Sequence, residues 1–174
     1  MFRAVYQGRP KPAERARVRF STGSKTYYMH IPESYRAYQN RLKDFFSQYA
    51  EDADLKELFR ARNLIYGLSI KLVFRLKGRG QHPFYQLRPD IDNLYKAVTD
   101  ALFLSDVNIK HVGFEEDEEG NKILDNDGNP IKKYKQKIDD SRVVHAELLK
   151  LRVDTEEEEQ FTIVIRNVAE EDIQ

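Results

Sequence analysis

The stretch Arg88-Pro89-Asp90-Ile91-Asp92-Asn93-Leu94-Tyr95-Lys96-Ala97-Val98-Thr99-Asp100-Ala101-Leu102 organises this chain. Leu94, Ala97, Val98, Ala101 and Leu102 recur at helical spacing, which predicts an amphipathic helix beginning near Asp92. Pro89 biases Arg88 toward extended backbone, so the helix is expected to be entered from a strand-like segment. Asn93, Lys96 and Asp100 fall at i, i+3 and i+7, away from the apolar stripe, and Asp92 lies four residues before Lys96, within its reach.

Working outward, Leu68, Ile70, Leu72, Phe74 and Leu76 alternate with Ser69, Lys71, Val73, Arg75 and Lys77, the clearest strand pattern in the chain. A basic loop, Gly78-Arg79-Gly80-Gln81-His82-Pro83, separates it from the helix. Further strands are expected at Arg142–Val153 and Phe161–Val168, joined by the acidic turn 154–159. Toward the N-terminus, Phe2, Val5 and Tyr6 start a short strand. Residues 15–20 alternate with Arg15, Arg17 and Arg19 on one face and Ala16, Val18 and Phe20 on the other, and Gly23-Ser24 turns into 26–30. Pro32 suits a helix's first turn, and Tyr35, Tyr38, Leu42, Phe45, Phe46 and Tyr49 follow at helical spacing up to the break at Glu51–Asp54. The class is α+β: a small mixed β-sheet with two principal helices packed on it, in a single domain spanning 1–174, with residues 1–30 as a basic arm and strands.

Residues 105–138 read as a hairpin-like insertion. Within it Asp117-Glu118-Glu119-Gly120-Asn121 is echoed by Asp125-Asn126-Asp127-Gly128-Asn129. A calcium loop needs glycine at its sixth position and glutamate at its twelfth; here glycine is fourth and Gln136 twelfth, so two Gly-centred turns are expected instead.

With 174 residues, 33% charged and 40% apolar, the chain is long enough for one hydrophobic core. No apolar run approaches the roughly 18 residues of a membrane helix, and Met1–Gln7 lacks a signal peptide's apolar stretch, so a cytoplasmic protein without membrane contact is expected. The absence of cysteine excludes disulfides, thiolate zinc sites and cysteine nucleophiles. The net charge of zero hides a polarity: residues 1–90 carry 18 Lys/Arg against 8 Asp/Glu, and residues 91–174 carry 11 against 21. The basic half, with Arg15, Arg17, Arg19 and Lys25 near its start, has the composition of a polyanion-binding arm; mutual neutralisation of the two halves on folding is the alternative.

Asp90 and Asp92 flank a helix start, and Asp139-Asp140 precedes a strand. One aspartate serves as an N-cap; Asp90 and the later pair are then left over. Carboxylate oxygens from two elements suit a magnesium-type ion, and a lysine beside them suits a phosphate, the donor set of a metal-dependent nuclease. The histidines show no metal-ligand spacing, and the serines lie in no nucleophile context.

Residues 88–102, followed by Asp139-Asp140-Ser141-x-Val143-Val144, closely resemble the signature of RusA-type Holliday-junction resolvases. A looser likeness extends to Gly8-x-Pro10, Arg15-x-Arg17, Pro32 and Tyr38. The resemblance implies that Asp90, Asp92 and Asp140 bind Mg²⁺ (with Mn²⁺ able to replace it) and that Lys96 is catalytic. It also implies a homodimer that places one nick on each of two symmetrical strands of a four-way DNA junction, leaving 5′-phosphates, in recombination and repair. Asp139, Asp100 and Asn93 then stand behind the ligands, and Arg15, Arg17, Arg19, Lys25 and Arg88 contact phosphates. A protein of the same fold that binds junctions without cutting, or that acts on flaps and other branched DNA, is the alternative. The insertion is the main departure from the family, which joins the helix to the Asp-Asp pair by a short loop; it could displace Asp140.

Overall fold

The Leu68–Lys77 alternation folds as the long central strand β4, and its even-numbered side chains Leu68, Ile70, Leu72, Phe74 and Leu76 are fully buried. The computed structural model describes residues 1–14, 17–21, 23, 26–60, 62, 65–125 and 127–173, with residues 17, 19, 21, 28, 29 and 173 described by backbone alone. In chain order the elements are β1 (Phe2–Gln7), β2 (Arg17–Ser21), β3 (Thr26–His30), α1 (Glu33–Ser47), α2 (Ala53–Leu58), β4, α3 (Ile91–Phe103), β5 (Ile109–Phe114), β6 (Lys132–Gln136), β7 (Val143–Val153) and β8 (Gln160–Asn167). A short 3₁₀ turn, Asp140–Arg142, leads into β7.

Four strands form one mixed sheet in the order β1-β8-β4-β7. β8 runs antiparallel to both β1 and β4, whereas β4 and β7 are parallel, from Leu68 opposite Val143 to Lys77 opposite Val153. Parallel neighbours require a crossover, and α3 supplies it. The face of Tyr35, Tyr38, Leu42 and Phe46 on α1 and that of Leu94, Ala97, Val98, Ala101 and Leu102 on α3 share one core with β4, Phe2, Phe161, Ile163 and Ile165. Full burial of each large apolar side chain contributes about 1.5–3 kcal/mol before entropy is charged against it. The expected class, a small mixed sheet carrying two principal helices and an inserted hairpin, is the one found.

Tyr35 and Tyr38 are core residues, unavailable for base stacking. The acidic break ends α1: the Asp52 side chain accepts from Leu55 N at 2.9 Å and caps a separate α2. Pro32 takes the N-cap position of α1 rather than its first turn. β2 and β3 form a two-stranded ribbon on which Val18, Phe20 and Tyr27 stay exposed. Arg15, Ala16, Ser24 and Lys25 lie outside the described residues.

The insertion is a side hairpin, β5 against β6, with Ile109 opposite Gln136 and Phe114 opposite Lys132. At its tip Asp117 Oδ1 accepts from Glu119 N and Asn121 N, and Asp125 Oδ1 accepts from Asp127 N and Asn129 N. These two oxygens are therefore engaged in turns, with Gly120 and Gly128 at positive φ, and not in a calcium loop. Asn108, fully buried, closes the neck. Its Nδ2 donates to the carbonyls of Phe103 and Ile138, and its Oδ1 accepts from Ile138 N, each at 3.0 Å. The end of α3 is thus pinned two residues before Asp140's turn begins, and the hairpin leaves and re-enters the fold at one place.

Candidate active site

The chain reaches α3 by an antiparallel return along β7. After β4 ends, Arg152 N donates to Pro83 O, Phe84 bridges Leu151, and Tyr85 N donates to Lys150 O. This run carries the chain back toward the start of β7, and hence toward Asp140. The helix is thus entered from a strand-like run, which bends at 87–89 and contains a cis Arg88–Pro89 peptide. Lys150 fastens the bend: its Nζ donates to Leu87 O and Pro89 O, both at 2.8 Å, and lies 5.5 Å from the Tyr85 ring centroid. Tyr85 Oη donates to Arg88 O at 3.1 Å.

Asp90 then occupies the N-cap position of α3, with β-region backbone and Leu94 N bonded to its carbonyl at 3.2 Å, but its carboxylate makes no capping hydrogen bond. The capping explanation therefore does not account for Asp90's side chain. Asp92 is exposed in the first turn, and among the described residues neither carboxylate has a hydrogen bond or ion pair. Two carboxylates at the positive end of a helix dipole, without a partner among the described residues, are placed to receive a cation or a proton donor.

Lys96 does not turn back to Asp92. It pairs with Asp100, one turn further on, at 3.1 Å. Asp100 also raises the Tyr35 hydroxyl pKa, after the larger effect of burial. Asn93 acts through its backbone: Ala13 N donates to its carbonyl at 2.8 Å, docking the N-terminal arm on α3. As a result Arg9, Pro10, Lys11, Pro12 and Ala13 line a cleft together with Arg88, Pro89, Asp90 and Asn93. Arg9 also lies 3.7 Å from buried Glu159. Arg17 and Arg19 follow two-residue alternation on β2, opposite His30 and Tyr28.

Asp139 does have a capping role, against the reading that left the pair unused. Its Oδ1 accepts from Ser141 N at 3.0 Å, and the side chain and amide of Ser141 hold its carboxyl below the usual range. Asp139 thereby forms the turn that presents Asp140. Asp140's charge reaches α3: burial, then the Asp140 carboxylate, pushes the Tyr95 hydroxyl pKa up. The Tyr95 hydroxyl of α3 is therefore within electrostatic reach of Asp140. Among the described residues no three His, Cys, Asp or Glu side chains are already gathered as a metal-ligand group. The donors are hard oxygens of the type magnesium prefers, two of them unpartnered, and the set fits such an ion by chemistry.

Three positioning residues escaped the sequence reading. Lys150 carried a faint signal, a lone cation in Leu148-Leu149-Lys150-Leu151. Asn108 carried none. Gly67, at φ +108, brings β4 against Arg142; a Cβ there would sit 2.7 Å from the Arg142 carbonyl oxygen.

A family model, that of endodeoxyribonuclease RusA, matches residues 7–118, which is 112 of the 174 residues. The chain belongs to the RusA family. The match runs from the end of β1 through the arm, α1, β4 and α3 into the hairpin, so Asp90, Asp92 and Lys96 lie inside it and Asp139-Asp140 beyond it. Membership of RusA makes endodeoxyribonuclease the activity class of the fold. No curated protein matches the chain. No helix among the described residues is long and apolar enough to cross a membrane.

Proposed function

We propose that this RusA-family protein is a magnesium-dependent endonuclease that cuts four-way DNA junctions, acting as a homodimer in recombination and repair. The observation that supports this most is the pair of partnerless carboxylates, Asp90 and Asp92, at the head of α3 beside the cationic arm. Asp90, Asp92 and Asp140 would hold the divalent ion. When bound, such an ion supplies a more acidic water and neutralises charge on the scissile phosphate. Arg9, Lys11 and Arg88 bind flanking phosphates, and β2 adds Arg17 and Arg19 to the basic part of the chain. Lys96, once drawn from Asp100, orients the phosphate and stabilises charge developing on it. Hydrolysis of the P–O3′ bond leaves a 5′-phosphate and a 3′-hydroxyl. A dimer sets one such site on each of two opposed strands.

A second reading, binding without cleavage, is favoured by the ungathered state of the acids. The two separate in one assay. The purified protein is incubated with labelled four-way junction, flap and linear duplex, first with Mg²⁺ and then with EDTA. The nuclease reading expects paired nicks in the junction with Mg²⁺ alone. Retention of the junction with no nick under any divalent ion supports the binding-only reading, and faster cutting of flap than of junction reassigns the substrate.

A further inference from the structure

Away from the acids, the end of α2 and the base of the hairpin form an open surface depression lined by Phe59, Arg60, Arg62, Lys110, Lys135, Gln136 and Lys137, most of them exposed. Five of those seven residues are cations. Arg60 is paired with Glu57 at 2.9 Å, and Lys137 Nζ donates to Val107 O at 2.6 Å. Among the described residues Arg62, Lys110 and Lys135 form no ion pair. Lys110 and Lys135 stand directly opposite each other across the hairpin. Directly opposed side chains lie about 4.5–5.5 Å apart at Cβ, and like charges in that relation destabilise the pairing.

The ordinary explanation for lysines on a hairpin is a solvated face. It does not account for their opposition across one rung, or for their convergence on a concavity with Arg60 and Arg62. Around Lys137, partial burial first, then the neighbouring charges of Lys56 and Lys110, push its ammonium pKa down; the acids that oppose this are Glu51, itself paired with Lys56, and Asp106. The lining itself holds five cations and no acid, which suits an anion.

We infer that this pocket is a second phosphate-binding site, built largely by the insertion, that grips the backbone of a DNA arm beside the strand being cut. Lys137 is three residues before Asp140, at most about 10 Å of chain. A duplex strand carries one phosphate per 3.4 Å of axis. A strand lying at Asp140 and running toward the hairpin therefore meets the pocket within about three phosphates. The insertion, on this account, lengthens the substrate footprint. The choice of DNA as the ligand rests on the nuclease reading, whereas the anion site rests on the cation geometry alone.

The test uses the full chain, parental and Lys110→Gln/Lys135→Gln, with Lys122→Gln at the hairpin tip as a control. Binding of a fluorescent four-way junction is measured in EDTA across a KCl series, and cleavage separately in Mg²⁺. Loss of two phosphate contacts flattens the log K against log salt slope by about 1.8. The double variant is expected to show that change and to melt at or above the parental temperature, since a repulsion is relieved; the control is expected to keep the parental slope. An unchanged slope in the double variant, an equal change in the control, or a parental protein with no affinity for DNA overturns the inference. A parental protein that binds with the expected slope change yet never cuts would retire the nuclease reading and leave the pocket standing. Normal cutting with an unchanged slope does the reverse.

Discussion

Lys150 holds two carbonyls of the bend that delivers Asp90, and a methionine there would keep its stem while removing both bonds. Hydrogen bonds to a charged donor are worth about 1.5–3 kcal/mol each, less where solvent reaches them. Lys150→Met is expected to lose about 1–3 kcal/mol of stability and, in single-turnover cleavage, to slow the reaction while leaving junction affinity near the parental value. Equal rates for the two proteins would remove Lys150 from the positioning of Asp90. Asp139 offers a pH test. Its carboxyl is held below the ordinary range by Ser141, so the support it gives the Asp140 turn is complete above the unfolded value, about 3.9, and fades as pH falls through the folded one. The Ser141 amide, followed by NMR during acid titration, should keep its folded shift below the pH at which an unperturbed aspartate protonates. A transition at the ordinary value would contradict the cap. Asp90, Asp92 and the helix they head were legible in the sequence because helix spacing and acid placement are local. The partners of Lys96 and Asp139 were not, since two geometrically allowed choices, Asp92 or Asp100 and cap or ligand, look alike in one dimension.

Among the elements, the hairpin and the β4–β7 pair decide where Asp140 stands. Asn108→Ala removes three buried hydrogen bonds at the hairpin neck and is expected to cost about 2–4 kcal/mol in chemical denaturation; a loss of a few tenths would mean the neck closes without it. Gly67→Ala meets the Arg142 carbonyl and an unfavourable φ, and should destabilise by at least about 1–3 kcal/mol. Replacing residues 115–131 by an Asn-Gly turn between Phe114 and Lys132 keeps the hairpin register and removes the acidic tip. The fold should survive with an unchanged melting transition of the core, and DNA affinity should rise at low salt as seven carboxylates leave. β4, α1 and α3 could be read from periodicity, and the hairpin's Gly-centred turns from the repeated Asp-x-x-Gly spacing. The return of residues 82–85 along β7 could not, because Pro83 and the glycines around it hide three rungs of edge pairing that only tertiary contact creates.

For the whole molecule, the basic and acidic halves meet in part, through Arg9–Glu159, Lys71–Glu147 and Lys77–Glu156, and the basic side chains are also gathered at particular places. The arm brings Arg9 and Lys11 to the cleft beside Asp90, while the hairpin, although inside the acidic half, contributes Lys110 and Lys135 to a pocket with Arg60 and Arg62. The sheet order and the parallel β4–β7 pairing were beyond sequence reasoning, since strand adjacency is set by which faces pack and not by any one strand's pattern. The central claim is that Asp90 and Asp92 are carboxylates kept free for a shared ion on a phosphodiester. It is tested most directly by cleavage of a labelled four-way junction in Mg²⁺ by the parental chain, Asp90→Asn and Asp92→Asn, each first shown to be folded and to bind the junction. The account predicts paired nicks from the parental protein and none from either variant, with binding equal or tighter as a charge facing phosphate is lost. Cleavage by both variants at the parental rate would contradict it.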